Sequence, residues 1–167
     1  MGYPWGKVYK SKIFEKYHFP EGYLFEDTIF AMFIYPLCKE CWTIGSNVYA
    51  YRVNKNGITQ KAKANKRSIE SQWITEYLLN QQFKEKIFSV DTYNQFLDQI
   101  AMNYSRTKEL GNEVKEALFL ENRNLYFEYY EKYKFKPEGY KKRKLEKYLK
   151  EGNIDKGLHL LNYWDSL

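Results

Sequence analysis

The sequence predicts a protein of the α+β class that is mainly α-helical, in which a small aromatic-rich unit with one short β-hairpin precedes a helical bundle. Three observations support this prediction. Aromatic residues make up 19% of the chain, and most of the Pro residues stand among them before residue 60. Two short apolar runs in that part are separated by a turn. From about residue 61 onward, apolar residues recur at helical spacing. We therefore expect units over residues 1–60 and 61–167, with a boundary near residues 57–64.

The first unit contains one helix that should be buried. A short helix or turn over residues 7–16 and a loop over residues 18–22 precede it. We expect this helix to begin near Glu26 and Asp27, because acidic side chains suit the positive end of a helix dipole. Apolar residues follow on nearly all of its faces. Pro36 has no N–H to donate, so the helix should kink or end there.

The hairpin is predicted after that helix. Residues 42–44 and 48–53 are rich in the aromatic and β-branched residues that favour strands. Gly45, Ser46 and Asn47 lie between them, and turns prefer these residue types. The two runs therefore predict two short strands joined by a turn.

Five helices are expected in the second unit from the spacing of its apolar residues. They cover residues 65–88, 92–108, 114–133, 141–150 and 154–163. Asp91 is the predicted N-cap of the second helix, because a carboxylate can accept a hydrogen bond from a free backbone N–H. Pro137 and Gly139 end the third helix. We interpret the apolar stripes as the core of a bundle.

The charge balance favours anionic partners. The chain has 27 Lys and Arg residues against 21 Asp and Glu residues, a formal net charge of +6. Sugar nucleotides, nucleic acids and acidic membrane surfaces would all be attracted to it. Much of the excess lies in an amphipathic helix over Lys141–Lys150. That helix face is either solvated or in contact with an anionic membrane. Because no nucleic-acid-binding motif is present, we expect no nucleic-acid partner.

Several features bound the cellular location and the metal chemistry. No run approaches the roughly 18 apolar residues of a membrane-spanning helix, and the first residues lack the pattern of a secretory signal. We expect a cytoplasmic protein, peripheral at the inner membrane face if Lys141–Lys150 contacts lipid. Cys38 and Cys41 form one C-x-x-C, whereas a structural zinc site needs four ligands. We interpret them as reduced thiols, with a redox pair or a metal half-site as the alternative, and expect no metal on this chain.

Three short motifs lie in order within the first sixty residues. They read W-G-K-V-Y-K at residues 5–10, F-P-E-G with F-E-D-T-I-F at residues 19–30, and V-Y-A-Y-R with G-I-T at residues 48–59. In this order and spacing they resemble the C-terminal part of family-2 glycosyltransferases of the GT-A type. The resemblance covers about a third of the chain. The helical remainder fits the variable C-terminal extensions of such enzymes.

The resemblance implies a reaction and a catalytic base. These enzymes transfer a sugar, with inversion, from a nucleotide-diphosphate donor to an acceptor hydroxyl, and the Asp of the E-D pair is the usual base. Here that residue is Asp27, with Glu26 in an orienting or a purely structural role. A hydroxyl becomes an effective nucleophile when a carboxylate within hydrogen-bond reach takes its proton. The alternative is that Asp27 only caps the helix.

Three further residues become substrate-binding candidates through the same resemblance. Trp5 lies where the family lines its acceptor pocket, although it could equally anchor the loop. Lys7 and Arg52 could contact donor phosphates or hold loops by ion pairs. Gly6 and Gly57 stand where many relatives have Asn and Ser, so two polar acceptor contacts are in doubt.

The resemblance also implies parts that these 167 residues do not contain. The family has an N-terminal nucleotide-binding half and a D-x-D motif that holds Mg or Mn on the diphosphate. No D-x-D occurs here, and the first motif begins a few residues after Met1. We therefore expect a fragment that is inactive alone and that needs the full-length enzyme to bind a nucleotide-sugar donor, a metal and a glycan acceptor. Uncovered apolar surface would favour a homo-oligomer.

A different class of function stays open at this stage. The aromatic and basic surface could belong to a non-enzymatic module that binds a glycan, a membrane or a partner protein. The role of Asp27 distinguishes this module from the enzyme fragment. In a fragment of an enzyme for glycan or surface-polysaccharide synthesis, Asp27 is a base. In the non-enzymatic module, it is only a helix cap.

Overall fold

The residues that the computed structural model describes fold mainly into helices. They are residues 3–52, 54, 57 and 65–164. Helix α1 covers Lys12–Lys16. Helix α2 is π-helical over Phe30–Ile34 and α-helical over Tyr35–Leu37. The buried helix of the first unit is therefore present, and it ends one residue after Pro36.

The π-helical turn of α2 and its Pro are joined to the bundle by one side chain. In an α-helix the N–H of residue 36 would bond to the carbonyl of Met32, but Pro36 has none. The buried amide of Gln82 donates to that carbonyl instead. The Gln82 amide oxygen in turn accepts a hydrogen bond of 3.0 Å from the Tyr130 hydroxyl. The break in the helix is thus compensated by a residue 50 positions later in the chain.

The predicted β-hairpin is wrong. Residues 42–52 form turns and irregular backbone, and no strand occurs among the described residues. Their apolar side chains are largely exposed, with 89% of Trp42 and 70% of Ile44 accessible. An isolated pair of strands is marginal in water unless a third strand or a helix covers one face. Strand-favouring residue types were present, but the described part of the chain offers them no covering surface.

The second part of the chain is a bundle of five helices among the described residues. A 3-10 turn over Lys66–Ile69 leads into α3. The helices are α3 (Glu70–Glu85), α4 (Val90–Thr107), α5 (Asn112–Leu125), α6 (Gly139–Glu151) and α7 (Ile154–Asn162). Helix α5 continues as a π-helical turn over Tyr126–Tyr130 and a 3-10 turn over Glu131–Tyr133. All five predicted helices are confirmed in place and order.

The start of α4 differs from the prediction. Ser89, not Asp91, caps this helix: its hydroxyl accepts from the Thr92 N–H at 3.2 Å, and the Thr92 hydroxyl accepts from the Ser89 N–H at 2.8 Å. This reciprocal pair satisfies two N–H groups at once. Asp91 lies in the exposed first turn of the helix.

Helices α3, α4 and α5 are joined by a network of buried polar side chains. The amides of Gln72 and Asn122 bond to each other at 3.0 and 3.2 Å. The Asn103 amide donates to Gln72 at 3.1 Å and to the Thr75 hydroxyl at 2.8 Å, and it accepts from Gln99 at 2.7 Å. Each of these side chains is at most 4% exposed. A satisfied network of this kind fixes the register of three helices.

The apolar core is continuous between α2 and the bundle. Phe30, Met32, Phe33 and Ile34 of α2 belong to the same buried cluster as the inner residues of the later helices. The predicted boundary near residues 57–64 lies outside the described residues except at Gly57. The division into units over residues 1–60 and 61–167 therefore stays a proposal.

Most cations of the basic helix have partners within the chain. Lys142 forms a 2.8 Å ion pair with Asp98, Lys150 pairs with Glu146 at 3.1 Å, and Lys141 donates to the Trp164 carbonyl. These contacts favour the solvated-face interpretation of Lys141–Lys150, and membrane contact stays a prediction. No helix within the described residues is long and apolar enough to cross a membrane.

Candidate functional site

The candidate base Asp27 lies at the start of α2, in the turn that precedes it. The Thr28 N–H donates to the Phe25 carbonyl at 3.0 Å, and the Phe30 N–H donates to the Asp27 carbonyl at 3.0 Å. Asp27 is half-buried, whereas Glu26 is exposed. A hydrogen bond from its own backbone lowers the pKa of Asp27. Whether Asp27 acts as a base or only as a cap stays a prediction.

Phe25 has an unusual backbone conformation two residues before Asp27. Its φ is 67°, in the left-handed region that bulky residues rarely adopt. A residue held in this region costs of order 1–3 kcal/mol and persists only where its surroundings fix it. The turn that presents Asp27 therefore depends on contacts that hold Phe25.

Arg106, in the last turn of α4, provides one of those contacts. Its guanidinium lies over the Phe25 ring at 4.0 Å from the ring centre. The Nη1 atom of Arg106 is buried and has no hydrogen-bond partner. The geometry is a close cation–π contact, made by a residue that lies about 80 positions beyond Phe25 in the chain.

The charges of Asp27 and Arg106 influence each other. Burial raises the pKa of Asp27, the positive charge of Arg106 lowers it, and the neighbouring Glu26 raises it further, with a net rise. Burial lowers the pKa of Arg106 to about 10, against the opposing effects of Asp27 and Tyr3. The Asp27 carboxylate thus lies where water solvates it poorly and where a half-buried cation is its main electrostatic compensation.

The loop before Phe25 is fixed by the beginning of the bundle. Glu70 accepts the Leu24 N–H at 2.7 Å, and Arg67 donates to the Gly22 carbonyl at 3.1 Å. Arg67 and Glu70 also form an ion pair with each other, which lowers the pKa of Glu70. The start of α3 therefore holds the loop before Phe25, and α4 contacts Phe25 itself through Arg106.

Trp5 belongs to a stack of aromatic rings on the surface. Its ring centre lies 4.5 Å from that of Tyr3, 5.5 Å from Tyr51 and 6.0 Å from Tyr49. Gly6 next to it has a φ of 68°, and a Cβ there would lie 3.3 Å from the Tyr49 Cβ. Tyr3 also raises the pKa of Arg106, against the effect of burial.

Lys7 and Arg52 lie at the edge of this stack. Both are exposed. Lys7 donates a hydrogen bond to the Tyr3 carbonyl, and Arg52 follows Tyr51 in the chain. Neither forms an ion pair with Asp27 among the described contacts. Among the described contacts, none joins Trp5, Lys7 or Arg52 to Asp27.

A separate cavity of about 370 Å³ lies between the F-P-E-G loop and α3. Trp73, Tyr77 and Tyr23 line it and are about half exposed, while Gln81 and Lys16 add polar groups. Rings that face a concave surface together with a few polar groups are typical of small-ligand sites.

Cys38 and Cys41 are both free thiols. Cys38 donates to the Ile34 carbonyl at 3.3 Å, and burial raises its pKa. Within residues 3–52, 54, 57 and 65–164, no group of three or more His, Cys, Asp or Glu side chains is arranged to hold a metal ion.

Reasoning from the sequence missed Arg106. The residue lies in an ordinary helical segment, Tyr104-Ser105-Arg106-Thr107, and belongs to none of the three motifs. The one available signal was the position of Arg106 in α4. It lies on the same turn as Asn103 and Thr107, which are buried. A charged side chain at such a position needs a compensating contact.

Comparison with known proteins gives one partial similarity. No protein-family model matches the chain, and no solved structure is similar to it. Over 56 residues, or 34% of its length, the chain is 34% identical to "Glycosyltransferase GlyA" of Streptococcus pneumoniae serotype 4 (strain ATCC BAA-334 / TIGR4). The match spans only 8% of that protein's length. The chain is therefore similar, over a short segment, to a glycosyltransferase.

Proposed function

We propose that this chain supplies the acceptor side of an inverting glycosyltransferase of family 2, in which Asp27 is the general base. The observation that carries the proposal is the state of the Asp27 carboxylate. It is half-buried at the start of α2, and the positive charge of the half-buried Arg106 acts on it. The similarity to a glycosyltransferase agrees with it.

The proposed reaction is a single displacement. The Asp27 carboxylate accepts the proton of an acceptor hydroxyl as its oxygen forms a bond to the anomeric carbon of the donor sugar. The bond from that carbon to the nucleotide diphosphate breaks, and the diphosphate leaves with the electron pair. Partial burial raises the pKa of Asp27, which makes its carboxylate a stronger base.

The neighbouring residues suggest how the substrates lie. The ring stack of Trp5 and Tyr51 offers a flat face to an acceptor sugar. Lys7 and Arg52 at its edge are exposed cations suited to donor phosphates. Glu26 is exposed beside Asp27 and could accept a second acceptor hydroxyl. We propose a role in glycan or surface-polysaccharide synthesis, in the cytoplasm.

The donor site is proposed to lie outside these 167 residues. The chain has no D-x-D motif, and its described residues offer no cluster suited to Mg or Mn. The residues present do not fit the metal of the family, so no step on this chain is assigned to it.

A second candidate function is a glycan-binding module without catalysis. The cavity lined by Trp73, Tyr77 and Tyr23 favours it, because half-exposed rings beside an amide can hold a neutral sugar ring. In that case Asp27 would have no role in turnover.

The test is sugar transfer by the gene product expressed from its full reading frame. Asp27→Asn should lower kcat by about 10²- to 10⁴-fold, because general-base catalysis contributes that much. Donor binding should change little. Glu26→Gln is the matched control and should cost less. A kcat close to wild type in Asp27→Asn, normalised to folded protein, would exclude the base. Saccharide binding without transfer, lost in Trp73→Ala, would favour the binding module.

A further inference from the structure

We propose that Arg106 is a positioning residue for Asp27: it holds the Phe25 turn in place and supplies the positive charge that keeps the carboxylate ready to accept a proton. The catalytic part of this inference rests on the proposed function of Asp27. Arg106 lies in α4, far along the chain from the three motifs. The helical bundle would therefore contribute a residue to the site.

The geometric part of the argument concerns Phe25. Its left-handed φ of 67° is unfavourable for a phenylalanine. The ring is covered by the Arg106 guanidinium at 4.0 Å, well within the distance at which a cation and a ring attract each other. The preceding residues are held separately by Arg67 and Glu70. The Phe25 carbonyl accepts from the Thr28 N–H, and the Arg106 guanidinium is the described contact of the Phe25 ring.

The partners of Arg106 argue against a purely structural role. Arg106 is half-buried, and a guanidinium that is partly removed from water is normally compensated by a paired carboxylate and several acceptors. Arg106 has no ion pair within 4 Å among the described residues, and its Nη1 atom is buried without an acceptor. Its compensation consists of the Phe25 ring and the charge of Asp27. Such a costly arrangement is typical of functional sites.

The charges around Asp27 show what Arg106 contributes. Asp27 is faced by Arg106 and Glu26, and Arg106 is faced by Asp27 and Tyr3. Without Arg106, burial and Glu26 would favour the protonated acid, opposed only by the hydrogen bond from the backbone of Asp27. A protonated Asp27 cannot accept the proton of a hydroxyl, so the loss of Arg106 should inactivate the base over a wider range of acid pH.

The first experiment titrates Asp27 in the 167-residue chain by carboxyl ¹³C NMR. In Arg106→Met, which keeps length and removes charge, the Asp27 pKa should rise above that of wild type. In Arg106→Lys, which keeps the charge, it should stay closer to wild type, and this variant serves if the Met variant fails to fold. An unchanged Asp27 pKa in folded Arg106→Met would overturn the inference, as would equal rises in both variants.

The second experiment measures the pH dependence of kcat/KM for the full reading frame. The acid limb of the profile should move to higher pH in Arg106→Met, and the rate should partly recover under alkaline conditions. An equal loss of rate at every pH would mean that Arg106 only supports the fold, and would overturn the positioning role. If the wild-type protein transfers no sugar, the proposed function fails, while the NMR titration still decides whether Arg106 controls the charge of Asp27.

Discussion

At the scale of single residues, the state of Asp27 has a consequence for stability. Its pKa in the folded protein is raised above the ordinary value of an aspartate, mainly by burial. A raised pKa means that the fold disfavours the ionised form, so folding loses stability as the pH rises through the folded-state pKa. The same group that is suited to act as a base thus weakens the fold at neutral pH.

We therefore predict that Asp27→Asn increases stability at neutral pH. The gain should be largest above the folded-state pKa of Asp27 and should shrink as the pH falls through that pKa, because a protonated Asp27 is neutral like Asn. Urea unfolding between pH 4 and pH 8 measures it, with Glu26→Gln as the exposed control. If Asp27 were only a cap, Asp27→Asn would change stability little, because Asn caps as well as Asp, whereas Asp27→Ala would lose about 0.5–2 kcal/mol.

At the scale of helices, the buried amide network sets how α3, α4 and α5 meet. Asn103 makes three of the hydrogen bonds in this network. Its removal leaves the Gln99 amide N–H without a partner in the core and takes one donor away from Gln72 and one from Thr75, which keep their bonds to Asn122 and Ser71. Each unsatisfied group costs about 1–3 kcal/mol.

Asn103→Ala should accordingly lower the free energy of unfolding by roughly 2–4 kcal/mol, allowing for partial relaxation. Chemical denaturation gives the value. Gln95→Ala, an exposed position on the same helix, is the matched control and should change stability by less than about 0.5 kcal/mol. Equal effects of the two substitutions would show that the network contributes nothing specific.

The contact between α5 and α7 depends on a residue without a side chain. A Cβ on Gly157 would lie 2.1 Å from the Phe119 ring, which is itself buried. A Gly inside a helix costs about 1 kcal/mol relative to Ala, so its presence there reflects the close approach of the ring.

Gly157→Ala should destabilise the protein by about 1 kcal/mol, because an overpacking cost of about 1–3 kcal/mol outweighs the gain in helix propensity. Thermal unfolding measures the change. Gly45→Ala, in the irregular segment where no atom lies within 4 Å of the added carbon, is the control and should have a small effect. A stabilised Gly157→Ala would show that Phe119 moves aside easily.

The helices were the part of the fold that local sequence could predict. Each is defined by an apolar repeat that matches its own period, and Pro36 and Pro137 mark ends by removing an N–H. The hairpin failed for the complementary reason. Trp42, Ile44 and Val48 are residue types that favour strands because they pack well on a sheet whose face is covered. Whether such a face is covered depends on the tertiary structure, and here these side chains are exposed.

At the scale of the whole molecule, the candidate site was only half predictable. Asp27, Glu26 and Trp5 lie within motifs and could be named from them. Arg106 could not, because its contact with Phe25 is made between distant parts of the chain and leaves no local pattern. The roles of Lys7 and Arg52 stay predictions, as does self-association.

Gln82 donates to the Met32 carbonyl the hydrogen bond that Pro36 cannot donate. This substitution of one donor for another has a consequence for how the chain folds. The Met32 carbonyl receives its hydrogen bond from Gln82, so α2 cannot complete its own backbone pairing until α3 is beside it. Helix α2 is also too short to persist alone in water. Its formation is therefore coupled to docking, and the Asp27 turn acquires its native shape late, together with the bundle. A ribosome must release α3 before the site can assemble, and a nascent chain that ends before Gln82 lacks the donor that α2 requires.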